Sequence, residues 1–328
     1  MDVRFITPTT VEDHGVEDVS ALLQRDDGYL WLDVPRWGDD VARLLTDVFG
    51  FHPVALETCR ERNHMPAVHG YRDHIFLVLH RPLVQELGHA HLVEMDQFIG
   101  ERYLVTVHGP VNPVVPDWAV MEEVWETLQR MEAKRIWPAS PLAMAHALIS
   151  LIVLRQRMLV QDVASRVAAL ETQVMAGSLA DPEGNLEEMF KVRHELLTVR
   201  TMASHDVEVM ARMRWLLHRD ITVEDDDMLA DLEDMFRRVH RMTDGEQEFL
   251  AGVIELYRTR TDTKMMIAGE RLAVLAAVTL PVTAISSVYG MNVIVNTHTH
   301  VTQLVVVLVI MAVISGVLLR YTKRQGWW

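Results

Sequence analysis

Residues 272–319 read LAVLAAVTLPVTAISSVYGMNVIVNTHTHVTQLVVVLVIMAVISGVLL, without one Asp, Glu, Lys or Arg. A helix needs about 20 mostly apolar residues to cross the hydrocarbon core of a bilayer. The stretch therefore predicts two spans, 272–291 and 303–320. Gly290, Asn292, Asn296, Thr297, His298, Thr299 and His300 gather between them and mark 292–302 as the connecting loop. Arg271 precedes the first span, Arg320, Lys323 and Arg324 follow the second, and the loop has no Lys or Arg. Basic flanks stay on the cytoplasmic side. The expectation is a multi-pass protein of the cell membrane with N- and C-termini cytoplasmic and the loop outside. In the tail, 321–328, Trp327 and Trp328 suit the headgroup level, where amphipathic rings settle.

The rest of the chain reads as a water-soluble protein. Of 328 residues, 46 are acidic and 31 basic, a formal charge of −15, which argues against nucleic acid as a partner. The single cysteine, Cys59, rules out an internal disulfide. The start, MDVRFITPTTVEDHG, lacks the basic and apolar regions of a secretory signal. Eleven of the twelve prolines lie between Pro8 and Pro182, and only Pro281 follows. Short apolar runs predict strands at Val3–Ile6, Tyr29–Val34, His74–His80, Leu92–Ile99 and Tyr103–His108, with a helix at Val41–Phe49. Residues 1–135 thus read as a cytoplasmic α/β domain, its last part (112–135) helical.

Residues 136–220 read as a helical hairpin. One helix starts near Pro141 and carries Leu142, His146, Ile149, Ile152, Leu159, Val163, Val167, Leu170 and Val174 at three- and four-residue steps. A turn follows at Gly177 to Gly184, then a helix from about Leu186 to Leu217. Residues 221–271 read as a stalk helix that continues into the first span. From Asp227 to Tyr289 only Asp244-Gly245 invites a break, so the expected helix has about 60 residues and spans about 90 Å.

Two features carry chemistry. Gly290 closes the first span, and glycine at a helix end can adopt the left-handed conformation that stops the helix and turns backbone carbonyls toward the axis. With Met291 and Asn292 it offers neutral oxygens, able to accept hydrogen bonds from the water shell of a cation. An ordinary helix cap followed by a polar turn is the competing reading. Leu272, Ala276, Leu280, Thr283 and Ser287 share one side of the first span, flanked by Thr279 and Ser286. In lipid, a stripe of small and hydroxyl-bearing residues faces water or another helix. The second span is almost wholly Val, Leu and Ile and reads as lipid-facing.

Tyr289-Gly290-Met291-Asn292 between two C-terminal spans resembles the signature of the CorA family of magnesium channels. Phe51-His52-Pro53-Val54-Ala55-Leu56-Glu57, Tyr71 to Leu79, Asp231-Leu232-Glu233-Asp234, Leu256-Tyr257 and Leu280-Pro281-Val282-Thr283 are similar to further family stretches. The resemblance covers nearly the whole chain. It implies a funnel-shaped homopentamer in which the first spans line the pore, the second spans form an outer ring, and the cytoplasmic domains sense magnesium. Carried over, pore positions fall at Met266, Gly269, Leu272, Ala276, Leu280, Thr283, Ser287 and Asn292. Gly290, Met291 and Asn292 would form the selectivity filter, with Asn292 meeting hydrated Mg2+. Asp231 and Glu255 match acidic stalk positions that hold regulatory Mg2+. The implied partners are further copies of the chain, membrane lipids and divalent cations, with Mg2+ both transported and regulatory and no organic cofactor.

This sequence departs from the family pattern in places. Met266 stands where Asn is usual, and Gly269 where a bulky apolar gate residue is usual, so Leu272 and Leu280 become the gate candidates. The loop Val293 to His300 has no carboxylate. The acidic run Glu224, Asp225, Asp226, Asp227, Asp231, Glu233, Asp234 has a plainer reading as a solvated helix start. Gly88-His89-Ala90-His91 brings two imidazoles but no third zinc ligand nearby, as ordinary loop histidines would. No phosphate loop, nucleophile elbow or HExxH site points to an enzyme. His298 and His300 keep open a zinc or other transition-metal transporter on the same fold. A membrane-anchored sensor that transports nothing is the remaining alternative.

Overall fold

The computed structural model describes residues 1–84, 90–110, 112–176, 182–217, 221–290 and 301–324. The chain divides into two compact units, Met1–Val253 and Ile254–Trp328. The first is built on seven strands: β1 (Asp2–Ile6), β2 (Val11–His14), β3 (Tyr29–Val34), β4 (Ala67–Gly70), β5 (His74–Val84), β6 (Ala90–Gly100) and β7 (Tyr103–Val107). They form one sheet in the order β2-β1-β3-β7-β6-β5-β4. Only β3 and β7 run parallel.

Both faces of the sheet are covered, which explains the apolar runs. In β3 all six residues are buried. Tyr29 and Trp31 point to one core and Leu30, Leu32 and Val34 to the other, as the two-residue period of a strand requires. The second core is closed by α1 (Val19–Leu22), α2 (Asp39–Asp47) and α3 (Pro53–Arg60). His52 caps α3, its Nδ1 accepting from the Val54 amide at 3.2 Å ahead of Pro53 in the first turn.

Residues 112–135 are not one helix. They hold two, α4 (Asp117–Val120) and α5 (Glu122–Glu132). Pro116 is the extended N-cap of α4, and a proline also keeps the residue before it out of helical geometry. Then α6 (Pro141–Met175) begins at Ser140, whose hydroxyl accepts from the Ala143 amide at 3.1 Å. Its buried face is wider than the sequence stripe and includes Met144, Ala145, Leu148 and Val160. With α7 (Pro182–Leu217) and the first part of α8 (Val223–Gly290), α6 completes the first core. Leu229, Leu232, Phe236 and Val239 of α8 lie in that core. The helix α8 passes through Asp244-Gly245 without a break. The last helix is α9 (Val301–Arg324).

The first unit also buries polar groups. The Trp31 indole donates to the Thr106 hydroxyl at 3.2 Å, Thr106 donates to Asp33, and His108 Nε2 lies 3.1 Å from Asp33. Between α6 and α7, Gln156 donates to the Asp206 carboxyl at 2.9 Å. Asp206 is fully buried, and burial pushes its pKa up to about 8. Below the ordinary carboxyl range both folded and unfolded chains hold this proton. As pH rises toward 8 the unfolded chain releases it and the folded chain does not, so stability falls. The limiting slope is about 1.4 kcal/mol per pH unit. Asp206→Asn is expected to remove this component: from about pH 5 to pH 8 the variant's thermal midpoint should fall less than that of the parent chain. Parallel declines would show that Asp206 is ionised in the fold.

Candidate functional site

The C-terminal unit contains the end of α8 and α9. Three helices of the described residues have the length and composition to cross a membrane: Pro141–Met175, the α8 segment ending at Val288, and Leu304–Arg324. Their surroundings differ. Half of the apolar window of α6 is buried in protein, against 6% for each of the other two. The core has already sheltered α6; α8 and α9 leave their apolar surface open.

That surface is two-sided. On the end of α8, Val274 is buried and Val278, Pro281 and Ile285 are half-buried. On α9 the sheltered positions are Val307, Met311, Ile314, Leu318 and Thr322. Each set steps by three or four, one stripe per helix. Leu272, Ala276, Leu280, Thr283 and Ser287 are all exposed, Leu272 at 67% and Leu280 at 66%. At about 100° per residue this stripe is centred about 170° from the sheltered one.

The threonines of the open side make defined bonds. Thr283 Oγ1 donates to the Thr279 carbonyl at 2.8 Å, and Thr279 Oγ1 to the Leu275 carbonyl at 2.8 Å. A hydroxyl whose proton is committed to its own backbone offers only lone pairs outward. Such a surface accepts hydrogen bonds from water, including water bound to a cation. The described part of α8 reaches Gly290. Met291, Asn292 and the loop histidines His298 and His300 lie outside the described residues, as do Gly88, His89, Trp327 and Trp328.

The acidic run at the start of α8 separates into individual roles. Thr222 and Asp225 cap the helix reciprocally: the Asp225 amide donates to Thr222 Oγ1 at 3.1 Å, and the Thr222 amide to Asp225 Oδ2 at 3.2 Å. Asp226 takes a two-pronged pair from Arg214, 2.6 Å on each side. Glu233 and Asp234 pair with Arg237. Asp231 Oδ2 lies 3.2 Å from His146 Nε2, its side chain still 56% exposed. Glu255 is exposed. Asp231 and Glu255 stand 24 residues apart in sequence, and among the described residues no three His, Cys, Asp or Glu side chains come together to hold a metal.

Sequence reasoning did not find the polar set at the ends of β3 and β7, where Asp33, Thr106 and His108 meet. Its alternate polar residues in apolar strands were the available signal. The neighbouring cavity, lined by Asn63, Glu94 and His108, holds about 20 Å³, room for one water.

A mixed sheet backed by long helices, joined in sequence to two open apolar helices, is the build of a membrane protein with a large globular part. The chain belongs to the CorA-like Mg2+ transporter protein family, whose model matches residues 26–324. It is 24% identical over 292 residues to YfjQ of Bacillus subtilis, provisionally named a metal ion transporter, covering 88% of this chain and 86% of that one. It is 22% identical over 302 residues to the cobalt/magnesium transport protein CorA of Thermotoga maritima, covering 88% and 80%. The complete structure of the CorA magnesium transporter from Methanocaldococcus jannaschii matches with a TM-score of 0.80 at 15% identity, covering 100% of this chain and 99% of that one. The fold is the CorA fold.

The two sides of α8 can be told apart chemically. Cys59, the only native thiol, is wholly buried, and burial beside Asp96 and Glu94 holds it protonated. Leu280→Cys and Ser287→Cys are expected to react with a charged, water-soluble thiol reagent much faster than Val274→Cys and Val278→Cys. Equal protection of all four would place the open stripe in lipid.

Proposed function

We propose that the chain is one subunit of a homopentameric channel for hydrated Mg2+. Two helices cross the membrane, 272–291 and 303–320, with both termini in the cytoplasm. The open stripe of α8, Leu272, Ala276, Leu280, Thr283 and Ser287, lines the pore. Gly290, Met291 and Asn292 form the filter. The observation that carries this reading is the stripe itself, exposed on the side of α8 opposite its sheltered face and bearing Thr283, whose hydroxyl proton is committed to the Thr279 carbonyl. One hairpin cannot enclose water, so the stripe needs further copies of the chain around it. Mg2+ sheds its water reluctantly, and neutral oxygens bind the hydrated ion without stripping it. The identity of the metal relative in the Thermotoga protein's name and the family description support Mg2+ and leave Co2+ as a second cargo.

Transport needs no enzyme chemistry in this reading, and Mg2+ serves as cargo and as regulator. Cytoplasmic Mg2+ binds the exposed carboxylates Asp231 and Glu255 against a neighbouring subunit and favours the closed state. Asp231 suits this role because a single imidazole, His146, is its neighbour and its remaining surface is open.

Uptake into liposomes holding the purified protein tests the reading, with Mg2+, Co2+, Ni2+ and Zn2+ compared. Asn292→Ala is expected to abolish Mg2+ uptake while the assembled mass in detergent stays that of five chains. Normal flux through the variant would reduce the tripeptide to a helix cap. A stable monomer or dimer would remove the channel, and uptake of Zn2+ alone would favour the transition-metal alternative.

For regulation, Asp231→Ala is expected to shift the inhibition of the current by cytoplasmic Mg2+ to higher concentration without changing which ions pass. A ligand moves a conformational equilibrium only through differential affinity for its two states. Superimposable dose–response curves in patch clamp would put the sensor elsewhere.

A further inference from the structure

Charge is distributed unevenly along this acidic chain. The C-terminal unit, Ile254–Trp328, holds seven Lys and Arg against three Asp and Glu, in a chain of 31 against 46. Their levels are matched. Arg271 lies 19 residues before Gly290, the last described residue of α8, and Arg320 lies 19 residues after Val301, the first described residue of α9. At 1.5 Å per residue each is about 29 Å from the loop end of its helix, one hydrocarbon thickness. Lys323 and Arg324 continue one turn beyond. Lys264, Arg271, Arg320, Lys323 and Arg324 are all exposed, and so is Tyr321 beside Arg320.

We propose that these residues form a basic collar that binds the headgroups of anionic phospholipids. This rests on the reading that both helices span the bilayer. A guanidinium at this depth lies among phosphates, which its planar fork can grip with two hydrogen bonds. In a zwitterionic lipid the choline offsets that attraction, whereas a lipid of net negative charge keeps it. Tyr321 fits the same layer, its ring toward the acyl boundary and its hydroxyl toward water. The two Arg on different helices at one level make the collar a feature of the hairpin rather than of the tail alone.

The test counts lipids on the full chain. Wild type and an Arg320→Gln/Lys323→Gln/Arg324→Gln variant are purified in detergent with equal phosphatidylglycerol and phosphatidylcholine of the same acyl chains, and bound lipids are counted by native mass spectrometry. Attraction of roughly 1 kcal/mol per basic residue corresponds to about fivefold per charge at most. Wild type is expected to retain phosphatidylglycerol severalfold over phosphatidylcholine, and the triple variant to retain the two nearly equally. An Arg320→Lys/Arg324→Lys variant, which keeps the charge, should keep most of the preference. Equal retention by wild type, or an undiminished preference in the triple variant, overturns the collar. Displacement of phosphatidylglycerol by inorganic phosphate overturns it too, in favour of a small-anion site. Insertion into pure phosphatidylcholine vesicles separates the two levels. A chain that inserts but shows no headgroup preference loses only the collar, and one that fails to insert loses the spanning reading and the collar together.

Discussion

Apolar helix surface must find apolar surroundings, and this chain meets that demand in two different solvents. In the first unit, α6 and α7 lay their apolar sides on a sheet whose other face is covered by α1 to α3. In the second, α8 and α9 shelter one stripe each and leave the remainder bare. Left in water, that remainder would cost about 25 cal/mol for every Å². In a bilayer the cost vanishes, and the backbone is already satisfied inside each helix. For the part of that surface that does not line the proposed pore, a bilayer supplies what the sheet supplies elsewhere. Thr279 and Thr283 obey the same rule on a smaller scale, since each gives its hydroxyl proton to a carbonyl one turn back.

Much of this architecture was legible in the sequence because burial on two sides leaves a strong signal. β3 was bounded to the residue, since a strand covered on both faces reads as an unbroken apolar run. The α6 start followed from Pro141, a residue tolerated in the first turn of a helix. The resemblance to the CorA family, read from Tyr289-Gly290-Met291-Asn292 and the stretches upstream, agrees with the family match over residues 26–324. β2 and β4 were not legible. They are four-residue edge strands, VEDH and AVHG, paired on one side only and without apolar alternation. The non-helical stretch 112–116 was missed although Pro113 and Pro116 each hold the residue before them out of helical geometry.

At the candidate site the period was readable and the partners were not. Spacing alone put Leu272, Ala276, Leu280, Thr283 and Ser287 on one side of a helix. That α8 shelters the opposite side depends on Val274 and Ile285, which nothing in the sequence distinguishes from their exposed neighbours. The acidic run shows the converse. Its plain reading as a helix start holds for Asp225, which caps, while Asp226 and Asp231 meet Arg214 and His146 from other helices. Pairings between side chains on different helices leave no local trace.

The helix α6 carries a consequence for how the protein is made. It is long and apolar enough to be taken for a membrane span, and it leaves the ribosome more than a hundred residues before the proposed spans. Domains fold as they emerge, N-terminal part first, and all seven strands precede α6 in the chain. The finished sheet is thus waiting to receive α6 before an insertion machinery can claim it. Arg155, Arg157 and Arg166 within the helix raise the cost of error, because each would be costly at the centre of a bilayer. The order of elements along the chain acts as a sorting device during synthesis, separating the apolar helix that the core shelters from the two that leave their apolar surface open.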